Sequence, residues 1–179
     1  MIIAIVRHAQ VDMKWPAWLT SEEYDRYCAI YDAAPVLPVT VDLPDADFER
    51  IYVSRLPRTA ATARQVVGGD KKLTSTALIN EVPEIAGFTT RRKVPMILLS
   101  ATSRAQWLFN IRRQPELRTE TRRRAEKFVA HLLQRNEDCA VFTHGFFMIT
   151  LLKVMKERGF CIDHTRLNYA NGECVVCRK

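Results

Sequence analysis

The sequence predicts an α/β fold, a three-layer sandwich whose mostly parallel central sheet is flanked by helices. Two observations carry this. Short β-branched runs alternate along the chain with longer segments of helical period, the pattern that repeated βα units produce. The first run, Ile2 to Val6, is apolar without a break, as expected of a strand covered on both faces. The chain has 179 residues, 47% of them apolar, enough for one well-buried core and few for two, so residues 1–179 are read as a single domain.

The first strand ends at Arg7-His8. An irregular stretch with Trp15, Pro16 and Trp18 follows, and Thr20 with Glu23 three residues later forms a capping box for a helix of about 21 to 34. Pro35, Pro38 and Pro44 mark a loop. Arg50 to Ser54 is a second strand, and Pro57 suits the first turn of the Ala-rich helix that runs to Gly68-Gly69. Lys72 to Ile79 alternates well enough to be a third strand, leading to Asn80-Glu81. Gly87 to Pro95 reads as an exposed loop carrying Arg91, Arg92 and Lys93. Two helices follow, the first capped by Ser103 with Gln106 and the second from about Glu116 to Arg135. In the latter, Ala125, Phe128, Val129, Leu132 and Leu133 form one buried stripe. Cys139 to Phe142 is a fourth strand ending at Thr143-His144-Gly145, Phe146 to Glu157 an apolar helix stopped by Gly159, and Glu173 to Cys177 a last strand.

Several classes of function are disfavoured. The first strand begins directly after Met1, so a secretory leader is not expected, and the longest apolar patches fall short of the roughly 20 residues that span a bilayer. Five cysteines (Cys28, Cys139, Cys161, Cys174, Cys177) without disulfide spacing fit reduced thiols and a cytoplasmic location. Cys174 and Cys177 form a C-x-x-C in a Val-rich strand with no second metal-spaced pair, so no metal is expected. A net charge of +7 favours an anionic partner. Arg112, Arg113, Arg118, Arg122, Arg123 and Arg124 suggest a polyanion surface, but Glu116, Glu120 and Glu126 are interleaved at i, i+4 spacing and no aromatic stacking platform accompanies them. A solvated helix face is expected there rather than a nucleic-acid interface.

The polar residues just past each predicted strand are Arg7 and His8, then Ser54 and Arg58, then Glu81, then Thr143 and His144. In an open α/β sheet ligands bind at the carboxyl ends of the strands, so residues spread from Arg7 to His144 can meet at one place. Helices that start there favour an anion through their free N–H groups. Two arginines and two histidines suit a phosphoryl group, whose equatorial oxygens take guanidinium and imidazole donors without a metal or cofactor. A histidine held neutral by a hydrogen bond from its other N–H can itself be the nucleophile. A carboxylic acid must then protonate the leaving oxygen. Glu81 is at the right strand end, where a bound phosphate would raise its pKa by like-charge repulsion, and Glu84 is the reserve.

These blocks resemble the histidine phosphatase superfamily, which includes the cofactor-dependent phosphoglycerate mutases. Ile5-Val6-Arg7-His8-Ala9 is similar to the family's Arg-His-Gly signature. Ser54-Arg55-Leu56-Pro57-Arg58 with Thr62-Ala63 matches Ser-x-Leu-x-Arg followed by Thr-Ala. Ile79-Asn80-Glu81 meets the Leu-x-Glu block loosely, and Val141-Phe142-Thr143-His144-Gly145 meets the late His-Gly block. The resemblance covers roughly residues 1 to 150. It implies a phosphoglycerate mutase-like fold in which His8 is phosphorylated, Arg7, Arg58 and His144 grip the phosphoryl group, and Glu81 donates the proton.

Ala9 stands in place of the usual Gly, as in the small phosphohistidine-phosphatase branch. Gln10, Val11, Asp12 and Lys14 stand where mutases carry Thr or Ser and Asn, and Val82 to Ile85 replace the Gly and Trp-Glu-Gly that commonly follow the acid. The expectation is a metal-independent phosphatase acting on a phosphate monoester or phosphorylated protein side chain. A mutase-type phosphotransferase and a non-catalytic phosphate-binding module are the alternatives. Gln10, Asp12, Arg91 and Arg92 are candidate substrate contacts.

Overall fold

A computed structural model describes residues 1–179. Its central sheet has six strands in the order β4-β3-β6-β1-β8-β7. The strands β1 (Ile2–Arg7), β6 (Cys139–Thr143), β3 (Arg50–Val53) and β4 (Leu73–Ser75) are parallel. The strand β8 (Cys174–Arg178) runs antiparallel to β1, with β7 (Cys161–Ile162) antiparallel to it at the edge. The mostly parallel sheet flanked by helices is therefore present. It needs crossovers, and helices lie in them: α2 (Pro57–Val67) between β3 and β4, and α4 (Arg118–Arg135) between β4 and β6, while α5 (Gly145–Glu157) leads from β6 to the antiparallel edge.

The pleat of β1 shows how the layers form. Ile3 and Ile5 face a core built with Val141 and with Phe128 and Leu132 of α4 and Leu151 of α5. Ala4 and Val6 face the opposite core, with Ala63 of α2, Phe48 and Phe142. Both faces of the strand are dry, so the unbroken apolar run is required at every position. Phe128, buried to 1% exposure, belongs to the α4 stripe foreseen from the sequence. Truncating it to Ala would cost about 3–5 kcal/mol through lost transfer energy and the cavity left behind.

A smaller third core joins Leu19, Tyr24, Ala86 and Leu99. It ties α1 (Ser21–Ala33), α3 (Met96–Leu108) and the two-stranded ladder of β2 (Trp18–Leu19) with β5 (Val94–Pro95) into a small cap. Thr20 and Glu23 form the expected capping box on α1.

Three expectations are corrected. Only Leu73 to Ser75 pairs as a strand, because the Thr76 hydroxyl accepts from the Leu78 N–H and turns the chain into a 3-10 turn at Ala77–Ile79. Ser103 does not cap a helix. Pro95 starts α3 eight residues earlier than the capping pattern suggests, and Ser103 is buried inside it, donating to Gln114 at 3.0 Å. The second of these helices begins at Arg118 rather than Glu116, with the Glu120 carboxylate accepting from the Leu117 N–H. No helix is long and apolar enough to cross a membrane.

Candidate active site

Each parallel strand delivers a polar side chain to the same end of the sheet. At the end of β1 the backbone N–H of His8 still bonds to Thr143 of β6, so the His8 and His144 turns are held side by side. The two imidazole rings stand edge to face with centroids 5.1 Å apart. Arg58, from the first turn of α2, lies between them: its Nε–H is shared by His8 Nε2 and His144 Nδ1, each at 3.2 Å. The convergence that the sequence required is therefore met.

Arginine fixes both tautomers, because a guanidinium N–H can only donate. His8 Nε2 and His144 Nδ1 must be acceptors. His8 then carries its proton on Nδ1, which donates to the Ala9 carbonyl at 2.7 Å, and His144 carries its own on Nε2, which donates to the Ser54 hydroxyl at 2.8 Å. Ser54 passes the chain on to the Thr59 hydroxyl at 3.0 Å. Burial, then the Arg58 charge, lowers the His8 pKa to about 3, and the same two causes hold His144 well below the ordinary imidazole value. Both rings are neutral at physiological pH.

Thr62 in α2 has a mechanical role. Its hydroxyl accepts from the Ala9 N–H at 2.9 Å and donates to the Arg58 carbonyl at 2.7 Å, clamping the His8 turn to the helix that carries Arg58. Arg58 is buried, and its Nη1 pairs with Asp32 of α1 at 2.8 Å while the Tyr31 ring lies 5.1 Å from its central carbon.

Arg7 donates through Nη1 to the Tyr169 carbonyl and to the Asn168 side chain, but its buried Nε–H has no partner. The helix α5 begins against this guanidinium. A Cβ on Gly145 would lie 2.8 Å from Arg7 Nε, so any other residue there would push the guanidinium aside.

Glu81 faces the same cavity. Its carboxylate accepts from the Phe147 N–H at 2.9 Å and the Phe146 N–H at 3.3 Å in the first turn of α5, and from its own neighbour Val82 at 2.9 Å; no cation pairs with it. Glu84 is committed elsewhere, to Arg104 at 2.5 Å, Tyr24 at 2.7 Å and Ser100 at 2.8 Å. The cavity measures about 950 Å³ and is lined among others by Arg7, Arg58, Glu81, Tyr31, Asp32 and Phe146. His8 and His144 sit beneath it, covered by Arg58.

Four candidate substrate contacts fall elsewhere. Gln10 and Asp12 are exposed and do not line the cavity, because their backbones are tied to Leu37 and Pro35. Arg91 and Arg92 are also exposed and away from it. Thr90 is bonded to Ser21 at the start of α1 and β5 pairs with β2, which anchors that loop outside the cavity.

Two residues escaped the sequence reading. Asp32 had no signal. Arg124 was read as part of a solvated basic face, yet its guanidinium points inward to the Ala77, Leu78 and Asn80 carbonyls and pairs with Glu116 at 2.9 Å. Its spacing from buried Thr121 and Phe128 was the available clue. Arg112 and Arg122 do behave as a solvated face, pairing with Glu120, Glu126 and Glu157.

The family model of the histidine phosphatase superfamily (branch 1) matches residues 39–176, a span that includes Arg58, Glu81 and His144 but not Arg7 and His8. No curated protein matches the chain significantly. Among solved structures, Bacillus stearothermophilus YhfR aligns over 98% of this chain and 89% of its own at 17% identity and a TM-score of 0.59. A mycobacterial glucosyl-3-phosphoglycerate phosphatase bound to VO3 aligns over 98% and 90% at 13% identity and 0.58. The Shigella flexneri alpha-ribazole phosphatase aligns over 87% and 79% at 16% identity and 0.54. At these identities the structural likeness speaks for the fold, and the family match speaks for the kind of protein. The chain belongs to the histidine phosphatase superfamily, and as a phosphatase of that family it is a hydrolase acting on phosphate monoesters.

Proposed function

We propose that the enzyme hydrolyses a small phosphate monoester through a phosphohistidine on His8. The observation that carries this reading is a neutral, tautomer-fixed His8 bonded to the buried Arg58 guanidinium, with Arg7 at the same strand end keeping a buried, unused Nε–H. A buried donor without a partner is costly, and a phosphoryl oxygen would satisfy it.

In the free enzyme Arg58 Nε–H covers the lone pair of His8 Nε2, so an incoming phosphate must first draw that guanidinium onto its own oxygens. His8 Nε2 then attacks phosphorus as the ester P–O bond breaks, and protonated Glu81 gives its proton to the departing oxygen. Charge spread over the equatorial oxygens is held by Arg7, Arg58 and the α5 N-terminus. His144 presents an acceptor nitrogen in the free enzyme. To donate to a phosphoryl oxygen it takes the proton of a monoanionic ester, a transfer that the neighbouring negative charge favours. Water next attacks phospho-His8, Glu81 accepts its proton, the P–N bond breaks, and inorganic phosphate leaves with the proton that His144 had taken, restoring both neutral histidines. Glu81 suits the acid role better than Glu84, which would have to leave Arg104.

Incubation with a 32P-labelled monoester, rapid quench and mapping of acid-labile, base-stable label tests the proposal. The label is expected on His8 and absent from His8→Ala, with turnover lost. Undiminished turnover by His8→Ala, or label on another residue, would overturn it.

A further inference from the structure

The cavity is far larger than a phosphate needs, and its walls beyond the phosphoryl position are informative about the alcohol that leaves. Four guanidiniums and no lysine face it. Of these, Arg58 is paired with Asp32, Arg104 with Glu84 at 2.5 Å, and Arg124 with Glu116 at 2.9 Å. Arg7 alone of the four has no carboxylate partner, and it belongs to the phosphate cradle, where its buried Nε–H is unsatisfied. A second anionic group on a substrate would find carboxylates from Asp25, Asp32, Glu84 and Glu116 and no unpaired cation. Taking Arg104 for itself would leave Glu84, whose side chain is 14% exposed, without its counter-charge, which is costly.

The remaining wall is aromatic and apolar. Tyr31 stands beside Arg58 and therefore beside the phosphoryl group. Phe146 lines the same cavity as Glu81 and donates its backbone N–H to that carboxylate, while its ring has the Arg104 guanidinium 4.1 Å from its centroid and Trp107 edge-on at 4.8 Å. Trp15 continues the wall on the α1 side, packed against Tyr24, Tyr27 and Tyr31. At the rim, Ile97 is 69% and Leu167 90% exposed, two large apolar side chains placed where a ligand enters.

Resting on the phosphatase reading above, we propose that the substrate class is the monophosphate ester of an uncharged aromatic alcohol, its ring held against Tyr31 and Phe146. Esters bearing a second anionic group are rejected by the acidic, cation-exhausted wall. The aromatic faces provide apolar area with little entropic cost, and the absence of a free cation provides the discrimination.

The test compares phenyl phosphate with 4-carboxyphenyl phosphate, which differ by one remote charge, and benzyl phosphate with 3-phosphoglycerate. We expect kcat/KM at least about tenfold higher for the uncharged member of each pair, as like-charge juxtaposition in a partly desolvated site demands. Ile97→Lys should shift the phenyl to carboxyphenyl ratio toward the carboxylated ester by about threefold or more, less at high salt. Phe146→Leu should raise KM for 2-naphthyl phosphate more than it lowers kcat. Equal or faster hydrolysis of the carboxylated ester through phospho-His8 would overturn this substrate class alone. Failure of every ester to turn over or label His8 would instead overturn the phosphatase reading.

Discussion

Asp32 donates no proton to Arg58 but accepts one bond from its Nη1 at 2.8 Å, so the deepest cation of the site is neutralised by a carboxylate that is itself 52% exposed at the mouth. A phosphoryl dianion must compete with that carboxylate for the same guanidinium, and the two negative charges repel at short range. Removing the charge while keeping the shape should favour oxyanions. Asp32→Asn is expected to tighten inhibition by vanadate by about three- to tenfold, the size of one repulsion at a few ångströms in a half-wet site. Weaker inhibition in the variant would mean that Asp32 chiefly aims Arg58.

Gly145 gives a second handle on the cradle. The Cβ of alanine would sit 2.8 Å from Arg7 Nε and 3.0 Å from Cζ, and the guanidinium would have to move. Gly145→Ala should lower kcat/KM by about 10- to 100-fold, in line with the cost of misplacing a transition-state group by about 1 Å. Urea unfolding should show a much smaller relative effect on stability, because Gly145 has no left-handed φ to lose. Wild-type kinetics in this variant would show that Arg7 is not needed where it stands.

Arg124 governs the loop that ends in Glu81. Its guanidinium holds the carbonyls of Ala77, Leu78 and Asn80 together, which a lysine ammonium, lacking the planar fork, cannot do. Arg124→Ala and Arg124→Lys should both lower kcat, while vanadate affinity stays near that of wild type because Glu81 is not a phosphate donor. In a double-mutant cycle with Glu81→Gln the losses should fall well short of additive, since both changes disable one function. Additive losses would separate Arg124 from Glu81.

Much of this site was legible because motif and period coincide. Arg7, His8 and His144 stand at the ends of strands whose apolar runs mark them as buried, Arg58 follows another by one turn, and Glu81 follows a shorter, half-exposed one; parallel pairing then fixes which end they share. What stayed hidden depends on contacts that period cannot report. Asp32 reaches Arg58 only because the small core of Leu19, Tyr24 and Leu99 docks α1 over the cavity. Arg124 looks like its basic neighbours until α4 is rotated against the 3-10 turn. The α3 start was misread because Ser103 and Gln106 imitate a capping box, whereas the true start, Pro95-Met96, has no side-chain cap to recognise. Gln10, Asp12, Arg91 and Arg92 were chosen by charge or by nearness to His8 in sequence, and neither property determines which way a loop is anchored.

The two buried imidazoles make stability depend on pH in a definite direction. In the folded protein His8 titrates at about 3 and His144 well below its ordinary value of 6.5, whereas both take up protons near 6.5 once unfolded. Below pH 6.5 the unfolded chain therefore binds more protons than the native one, and stability falls as pH falls; above it the two states match and the effect vanishes. His8 should remove about 2 kcal/mol between pH 7.5 and 5, and His144 adds a loss of the same sign. Glu23 and Glu120, held below 4.5 in the fold, add a loss of the same sign only at lower pH, so the window from 6.5 to 5 belongs to the histidines. Urea unfolding at pH 7.5, 6 and 5 reads the slope directly, and His8→Asn should flatten it by about half. A bound oxyanion reverses the logic by favouring a proton on His144, so the same titration with saturating vanadate should show a shallower decline. A wild-type profile that is flat from pH 7.5 to 5 would mean that the rings take up protons in the fold as they do unfolded, so that below pH 6.5 a charged His8 would have no lone pair with which to attack.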